Sequence, residues 1–189
     1  MKTNKVIIDP GHGDTDPGAI GINNIYEKNI TLELGLLIYD YLKSKRIPVD
    51  LTRKSDVDIN LTTRVENINK STYDLCISIH CNAYHNKNIH GMETYYGVKN
   101  KNIRYENFLL SNCIQTSVCN NINYLYNRGI RINNSMYLIN NLEIPSCILE
   151  IGFITNTNDY DVLTSYSKKK RISELIGDGI IDYLNKIEK

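Results

Sequence analysis

Apolar residues along the chain follow two rhythms. Short aliphatic runs at 5–9 (KVIID), 48–52 (PVDLT), 75–80 (LCISIH), 91–96 (GMETYY) and 146–151 (SCILEI) read as strands. Between them lie longer segments with helical spacing. One covers 27–45 through Ile30, Leu34, Leu37, Ile38 and Tyr41, another 61–70 behind Asn60 as a helix cap, and a third 102–123 through Phe108, Leu109, Ile114 and Val118. A short helix at 159–163 and an amphipathic one at 171–186 close the chain. The β-branched run at 75–80 suits a parallel strand covered on both faces. The alternation predicts one α/β domain over 1–189, with a mostly parallel, twisted central sheet of about six strands and helices on both faces. The chain has no internal repeat, low-complexity tract or linker-like stretch.

Composition narrows the function classes. Hydrophobic residues make up 41%, too many for a disordered chain, and 22 Lys+Arg against 21 Asp+Glu leave a net charge of +1. Near-neutrality argues against a nucleic-acid partner, which demands clustered cations. The one basic run, at 168–171, is expected to be a solvated face at the start of the last helix. No stretch reaches the roughly 18 apolar residues of a membrane span, so no membrane partner is expected. The opening MKTNKVIIDPGHGD is too short in apolar residues, and too interrupted, for an export signal. Synthesis in a reducing cytoplasm and a monomeric protein are expected. The five cysteines show no CxxC spacing, and Cys76 and Cys147 lie in apolar runs as small core residues.

Position gives the polar residues their interest. His12 follows the first strand run, His80 ends the third and Glu150 ends the last, while Glu27 opens the first long helix. Ligands of open α/β sheets bind outside the carboxyl ends of strands, so one rim receives all three strand-end groups. Two imidazoles and a carboxylate can bind zinc and leave a position open for water, and a further carboxylate can then move the proton. Each residue also has a plainer reading. A strand-end histidine is more often a hydrogen-bonded one than a ligand, and a glutamate opening a helix suits the helix dipole. Glu150 resists the plain reading, because a carboxylate between Leu149 and Ile151 calls for a metal-bound water or a hydrogen-bond partner if buried. His85 and His90 lie in an Asn-rich loop and read as solvated.

At these residues the chain resembles the zinc-dependent N-acetylmuramoyl-L-alanine amidases of the amidase type 3 class, the catalytic domains of autolysins and phage lysins. The likeness runs through Val6-Ile7-Ile8-Asp9-Pro10-Gly11-His12-Gly13 with Asp16-Pro17-Gly18-Ala19, then Glu27-Lys28-Asn29-Ile30 and Leu51-Thr52-Arg53. It continues through Leu61, Arg64 and Asn69, Ser78-Ile79-His80-Cys81-Asn82-Ala83, Gly91-Met92-Glu93-Thr94-Tyr95-Tyr96 and Arg128-Gly129-Ile130. It ends with Pro145 to Asn156, around Leu149-Glu150-Ile151-Gly152. Asp14, where a second glycine often stands, and Cys81, in place of a small residue, depart from the pattern. A packing role is expected for Cys81; a fourth ligand or an oxidation-sensitive thiol is the alternative.

The resemblance implies Zn2+ bound by His12, Glu27 and His80, with Glu150 as the catalytic carboxylate. It implies hydrolysis of the amide joining the lactyl group of N-acetylmuramic acid to L-alanine of the peptidoglycan stem. Arg64, Asn82, Asn156 and Arg128 are candidates for holding substrate polar groups. The protein is expected to act on the wall after release or export, as a lysin or as a catalytic domain joined to a wall-binding domain in a longer parent. The competing readings are a zinc peptidase cutting within the stem, a metal-free glycosidase with paired carboxylates, and a non-catalytic wall-binding module.

Overall fold

Six strands form one sheet in the computed structural model, which describes residues 4–188. Residues 1–3, part of the opening segment discussed above, and residue 189 lie outside the described residues. The predicted runs become β1 (Val6–Pro10), β2 (Val49–Leu51), β3 (Leu75–Asn82), β4 (Met92–Tyr96) and β6 (Ser146–Phe153), and β5 spans Asn127–Ile132. The sheet order is β2-β1-β3-β6-β4-β5. The first four strands in that order are mutually parallel, whereas β4 runs antiparallel to β6 and carries β5 parallel to itself at the edge.

Side chains alternate across this sheet and build a core on each face. Val6 and Ile8, Ile77 and Ile79, and Leu149 and Ile151 join the larger core under α1 (Glu27–Ser44), α3 (Arg104–Cys119), α5 (Thr157–Thr164) and α6 (Tyr166–Ile187). Ile7, Cys76 and Ile148 face the other way, against α2 (Leu61–Asn69) and α4 (Tyr137–Asn141). Burial on both sides explains the unbroken aliphatic runs. Asn60 caps α2 as expected, its Oδ1 accepting from Thr63 N at 2.9 Å.

Three expectations need correction. β5 and α4 were not anticipated as elements: β5 (NRGIRI) is an exposed edge strand with no apolar run, and α4 has five residues. The last helix begins at Tyr166, five residues before the expected start, so it absorbs the basic run. Within that run Lys169 is buried, not solvated, and its Nζ pairs with Glu33. Helical geometry turns that one position inward, towards α1.

A buried ion pair fixes the loop after β1. Asp9 Oδ1 accepts from Arg64 Nη1 at 2.6 Å and from Thr52 Oγ1 at 2.7 Å, and its Oδ2 accepts from Ser78 Oγ at 2.7 Å. Arg64 also donates to the carbonyls of Pro10 and His12, and Arg53 to those of Pro10 and Gly11. Burial works to raise the Asp9 carboxyl, but Arg64 and the two hydroxyls hold it below its ordinary value. An acid so depressed contributes stability above its unfolded pKa, about 3.9, and loses it as pH falls through the folded value. Asp9→Asn is expected to destabilise by about 3–5 kcal/mol at neutral pH. In urea titrations the gap to the wild type should narrow below about pH 4; a gap independent of pH would contradict this assignment.

Candidate metal centre

The turn after β1 puts His12 where its backbone is strained. His12 has φ 63°, with Gly13 at φ 145° behind it, and the Arg64 bond to the His12 carbonyl holds it there at 2.8 Å. Glycine is required nearby for space. A Cβ on Gly11 would lie 2.2 Å from Cε1 of His80, and one on Gly18 would lie 2.7 Å from both Glu27 Oε2 and His12 Cδ2. Glu27 enters from the first residue of α1 and His80 from β3, next to β1 in the sheet.

These three residues converge. Glu27 Oε1 lies 3.1 Å from His12 Nε2 and 2.9 Å from His80 Nδ1, and one ligand atom from each residue lies within 4.8 Å of the others. Donors around the carboxylate set its orientation: Cys81 N reaches Oε1 and Ala19 N reaches Oε2, each at 2.9 Å. Asp16 Oδ2 sits 2.7 Å from His12 Nδ1, the carboxylate–histidine arrangement that orients a ligating imidazole.

The electrostatics match the geometry. Burial opposes protonation of His12, but Glu27 and Asp16 outweigh it and push the imidazole up to about 9. His80 is likewise raised against its burial by Glu27 and Glu150, and the two imidazoles hold Glu27 well below the usual carboxylate range despite its own burial. Two ring nitrogens and an acceptor-only oxygen share one point that demands positive charge. Tetrahedral zinc with bonds of about 2.0–2.1 Å spaces its ligand atoms roughly 3.3 Å apart, so the donor set fits a divalent cation. The expected ligands His12, Glu27 and His80 are thus brought together and could hold a metal.

Glu150 stands beside them. It is the register partner of His80 on β6, and Glu93 on β4 is the register partner of Glu150. Paired residues on neighbouring strands face the same side, so His80, Glu150 and Glu93 form a row across the sheet, about 4.8 Å from strand to strand. Glu150 Oε2 is buried and has no hydrogen-bond partner among the described residues. Burial pushes its carboxyl up to about 7, with His80 opposing and Glu27 and Glu93 adding to the rise. The row opens into a cleft of about 210 Å³ between Leu61 at the start of α2 and Met136–Tyr137–Leu138 at α4. The strands run on past His80 and Glu150, to Asn82 and Phe153, with a register shift between His80 and Asn82. The site therefore lies inside the expected rim, where the two helices leave the sheet uncovered.

Other expectations divide. Arg64 is spent on Asp9 and loop carbonyls, and buried Asn156 caps α5 through Asn158 N and Asp159 N while donating to the Lys87 carbonyl. Neither is free to hold a substrate. Asn82 and Arg128 do line a cleft next to the row. Cys81 packs into the larger core, where burial drives its thiol well above the ordinary value, in keeping with a packing role. His85 is exposed and stacks near Tyr84, and His90 lies against Tyr126. Asp14 adopts φ 45° and its backbone N donates to Asp56, so the departure from glycine is accommodated. Sequence reasoning assigned no role to Asp16, four residues after His12, or to Glu93, whose partners are distant in the chain.

Comparison with known proteins gives the family and the fold. Residues 6–182 match the family described as N-acetylmuramoyl-L-alanine amidase. The germination-specific N-acetylmuramoyl-L-alanine amidase of Bacillus subtilis is 31% identical over 192 residues, which cover 94% of this chain and 78% of that protein. N-acetylmuramoyl-L-alanine amidase LytC of the same organism is 34% identical over 179 residues, and there this chain spans 35% of its relative's length. The solved structure of N-acetylmuramoyl-L-alanine amidase AmiC2 of Nostoc punctiforme superposes with a TM-score of 0.90 at 30% identity, covering 97% of this chain and 98% of that one. With the match running from the first residue of β1 into the last helix, the chain belongs to the N-acetylmuramoyl-L-alanine amidase family.

Proposed function

We propose that this protein hydrolyses the amide between the lactyl carbonyl of N-acetylmuramic acid and the first L-alanine of the peptidoglycan stem. In this reading His12, Glu27 and His80 hold zinc and Glu150 is the catalytic acid–base. One observation carries it: a three-ligand point stands one strand away from a buried carboxylate oxygen that has no partner among the described residues. A wall-binding module has no use for that pairing.

When bound, zinc supplies Lewis acidity at a carbonyl and lowers the pKa of water to near neutrality. The chain's own groups do the rest. Glu150 accepts the proton of the attacking water as the carbon–oxygen bond forms. It returns the proton to the alanine nitrogen as the carbon–nitrogen bond breaks, leaving a lactyl carboxylate and a free amine. A carboxyl whose affinity for protons lies near neutrality suits both transfers.

Asp16 is a positioning residue in this scheme, since it keeps the proton of His12 on Nδ1 and leaves Nε2 for the metal. Asp16→Ala is expected to weaken zinc binding about 10–100-fold in a chelator competition, with little change in melting temperature because Asp16 is exposed. Digestion of purified wall with and without chelator, read by product mass, tests the whole reading. Peptide-free glycan and new alanine amines must appear only with the metal. Fragments cut inside the stem would establish the peptidase instead, and new reducing sugar ends a glycosidase.

A further inference from the structure

Beyond Glu150 the same row continues into charges that hydrolysis does not use. Glu93 is 3% exposed, yet it sits in a web of donors. Its Oε1 accepts from Asn82 Nδ2 at 3.0 Å and Tyr95 OH at 2.7 Å, and its Oε2 lies 2.9 Å from Arg128 Nε and 3.1 Å from Arg131 Nε. One buried carboxylate therefore faces two guanidinium groups, an excess of one positive charge. Both arginines make their nearest approach to Glu93 through Nε rather than through a terminal nitrogen. Arg128 Nη1 makes only a 3.4 Å contact with the His90 carbonyl. Arg128 Nη2 and the terminal nitrogens of Arg131 make no hydrogen bond among the described residues. The Arg128 guanidinium also lies over the Phe153 ring, 5.0 Å from its centroid, which restricts its plane. Arg128 and Glu93 line a cleft of about 360 Å³ together with Asn82, Tyr84, Tyr95 and Phe153.

We propose that Arg128 and Arg131, held in place by Glu93, form a subsite for a carboxylate on the second residue of the stem peptide, so that stems with a free carboxyl there are favoured over amidated ones. The inference rests on the amidase reading above and adds to it the identity of the stem it prefers. The planar Arg128 fork, fixed by its Nε bond to Glu93 and by the Phe153 ring, matches a carboxylate's two oxygens and loses little entropy on binding it, while the half-exposed Arg131, ion-paired to the same glutamate, adds the second positive charge. A neutral amide at the same place offers one acceptor and brings its own donors against a positive site. Reach agrees as well. Extended peptide advances about 3.3–3.6 Å per residue, so the second stem residue lies roughly 7 Å from the broken bond. Counting strands at about 4.8 Å each from Glu150, that distance falls over β4 and β5, which carry Glu93 and the two arginines. A stem residue with a carboxyl at that place would present two forms, the free acid and its amide, and the paired guanidinium groups would distinguish them.

The test uses three matched muropeptides on the same glycan: one with both stem carboxyls free, one amidated at the second residue and one amidated at the third. The zinc-loaded wild type is expected to favour the free acid over the second-residue amide by about 10-fold or more in kcat/KM, mainly through KM. Third-residue amidation should leave the rate unchanged. Arg131→Gln, at a half-exposed edge position that the fold tolerates, should cut that preference several-fold, and Arg128→Gln with Arg131→Gln should bring it to about one. Equal cleavage of all three compounds by the wild type, a preference set by the third residue, or a preference that survives both substitutions would overturn the subsite and leave the amidase reading standing. Failure to release any alanine amine from the free acid would overturn both.

Discussion

Glu150→Gln is expected to lower the rate of amide hydrolysis by about 10²–10⁴-fold while zinc content and melting temperature stay at wild-type levels. The side chain keeps its shape, so the cleft beside His80 is unchanged. What disappears is the ability to accept the water's proton and return it to the amine. Stability is spared because the glutamate makes no hydrogen bond through Oε2, and burial already disfavours its charge. A neutral amide there removes a desolvation penalty without breaking an ion pair. Zinc is spared because Glu150 is absent from the group of atoms that converge on the metal point. The paired measurement is wall lysis against metal analysis on the same preparation. Lysis at the wild-type rate would end Glu150's role; loss of zinc along with activity would make it a ligand.

Glu27→Gln should have the opposite signature, losing the metal first and activity in consequence. A glutamine keeps the shape of the side chain and can accept through its single amide oxygen from either Ala19 N or Cys81 N, which at 2.9 Å hold the two oxygens of the present carboxylate. Its NH2 then faces the other N–H, so a modest loss of stability, about 1–3 kcal/mol, accompanies the loss of the metal. The missing negative charge is what two imidazoles and a dication jointly require. Zinc binding at protein sites is worth about 10–16 kcal/mol in all, so one ligand of three or four contributes roughly 3–4 kcal/mol. Affinity should therefore fall about 10²–10³-fold, with lysis abolished at trace zinc and partly recovered when zinc is raised. Chelated wild type should be inactive in the same assay and recover fully. Retention of a full zinc equivalent by Glu27→Gln after dialysis against chelator would remove Glu27 from the ligand set.

The two variants separate because the site has two parts that the chain specifies in different ways. The proposed ligands sit at element ends: His12 follows β1, Glu27 starts α1 and His80 lies near the end of β3. Such positions can be read from where aliphatic runs stop. Glu150 stands out for a related reason, as an acid inside an aliphatic run. The partners of these groups were harder to see. Arg64 and Asn156 are polar residues in recognisable motifs, but whether such a residue faces a substrate or a carbonyl depends on what the fold brings alongside. Here Asp9 meets Arg64 across 55 residues, and Lys87 meets Asn156 across 69. The basic run at 168–171 failed as a guide for the same reason, since Lys169 found Glu33 on another helix 136 residues away. Glu93 lies in a recognisable motif but had no role to read from it, for an acid in an alternating strand reads as solvent-facing until Arg128 and Arg131 are set against it.

By itself the sequence determined the α/β class, five of the six strands and the four long helices, and it singled out by position the four residues of the proposed centre. Each depends on local periodicity or on the break between an apolar run and a polar residue, and both survive in one dimension. Only the tertiary structure decided that β5 pairs at the edge, that β4 reverses against β6, and that His80, Glu150 and Glu93 align in one row. Register and burial arise from pairings between distant segments, and the free energy of a buried charge depends on neighbours that the chain order does not reveal.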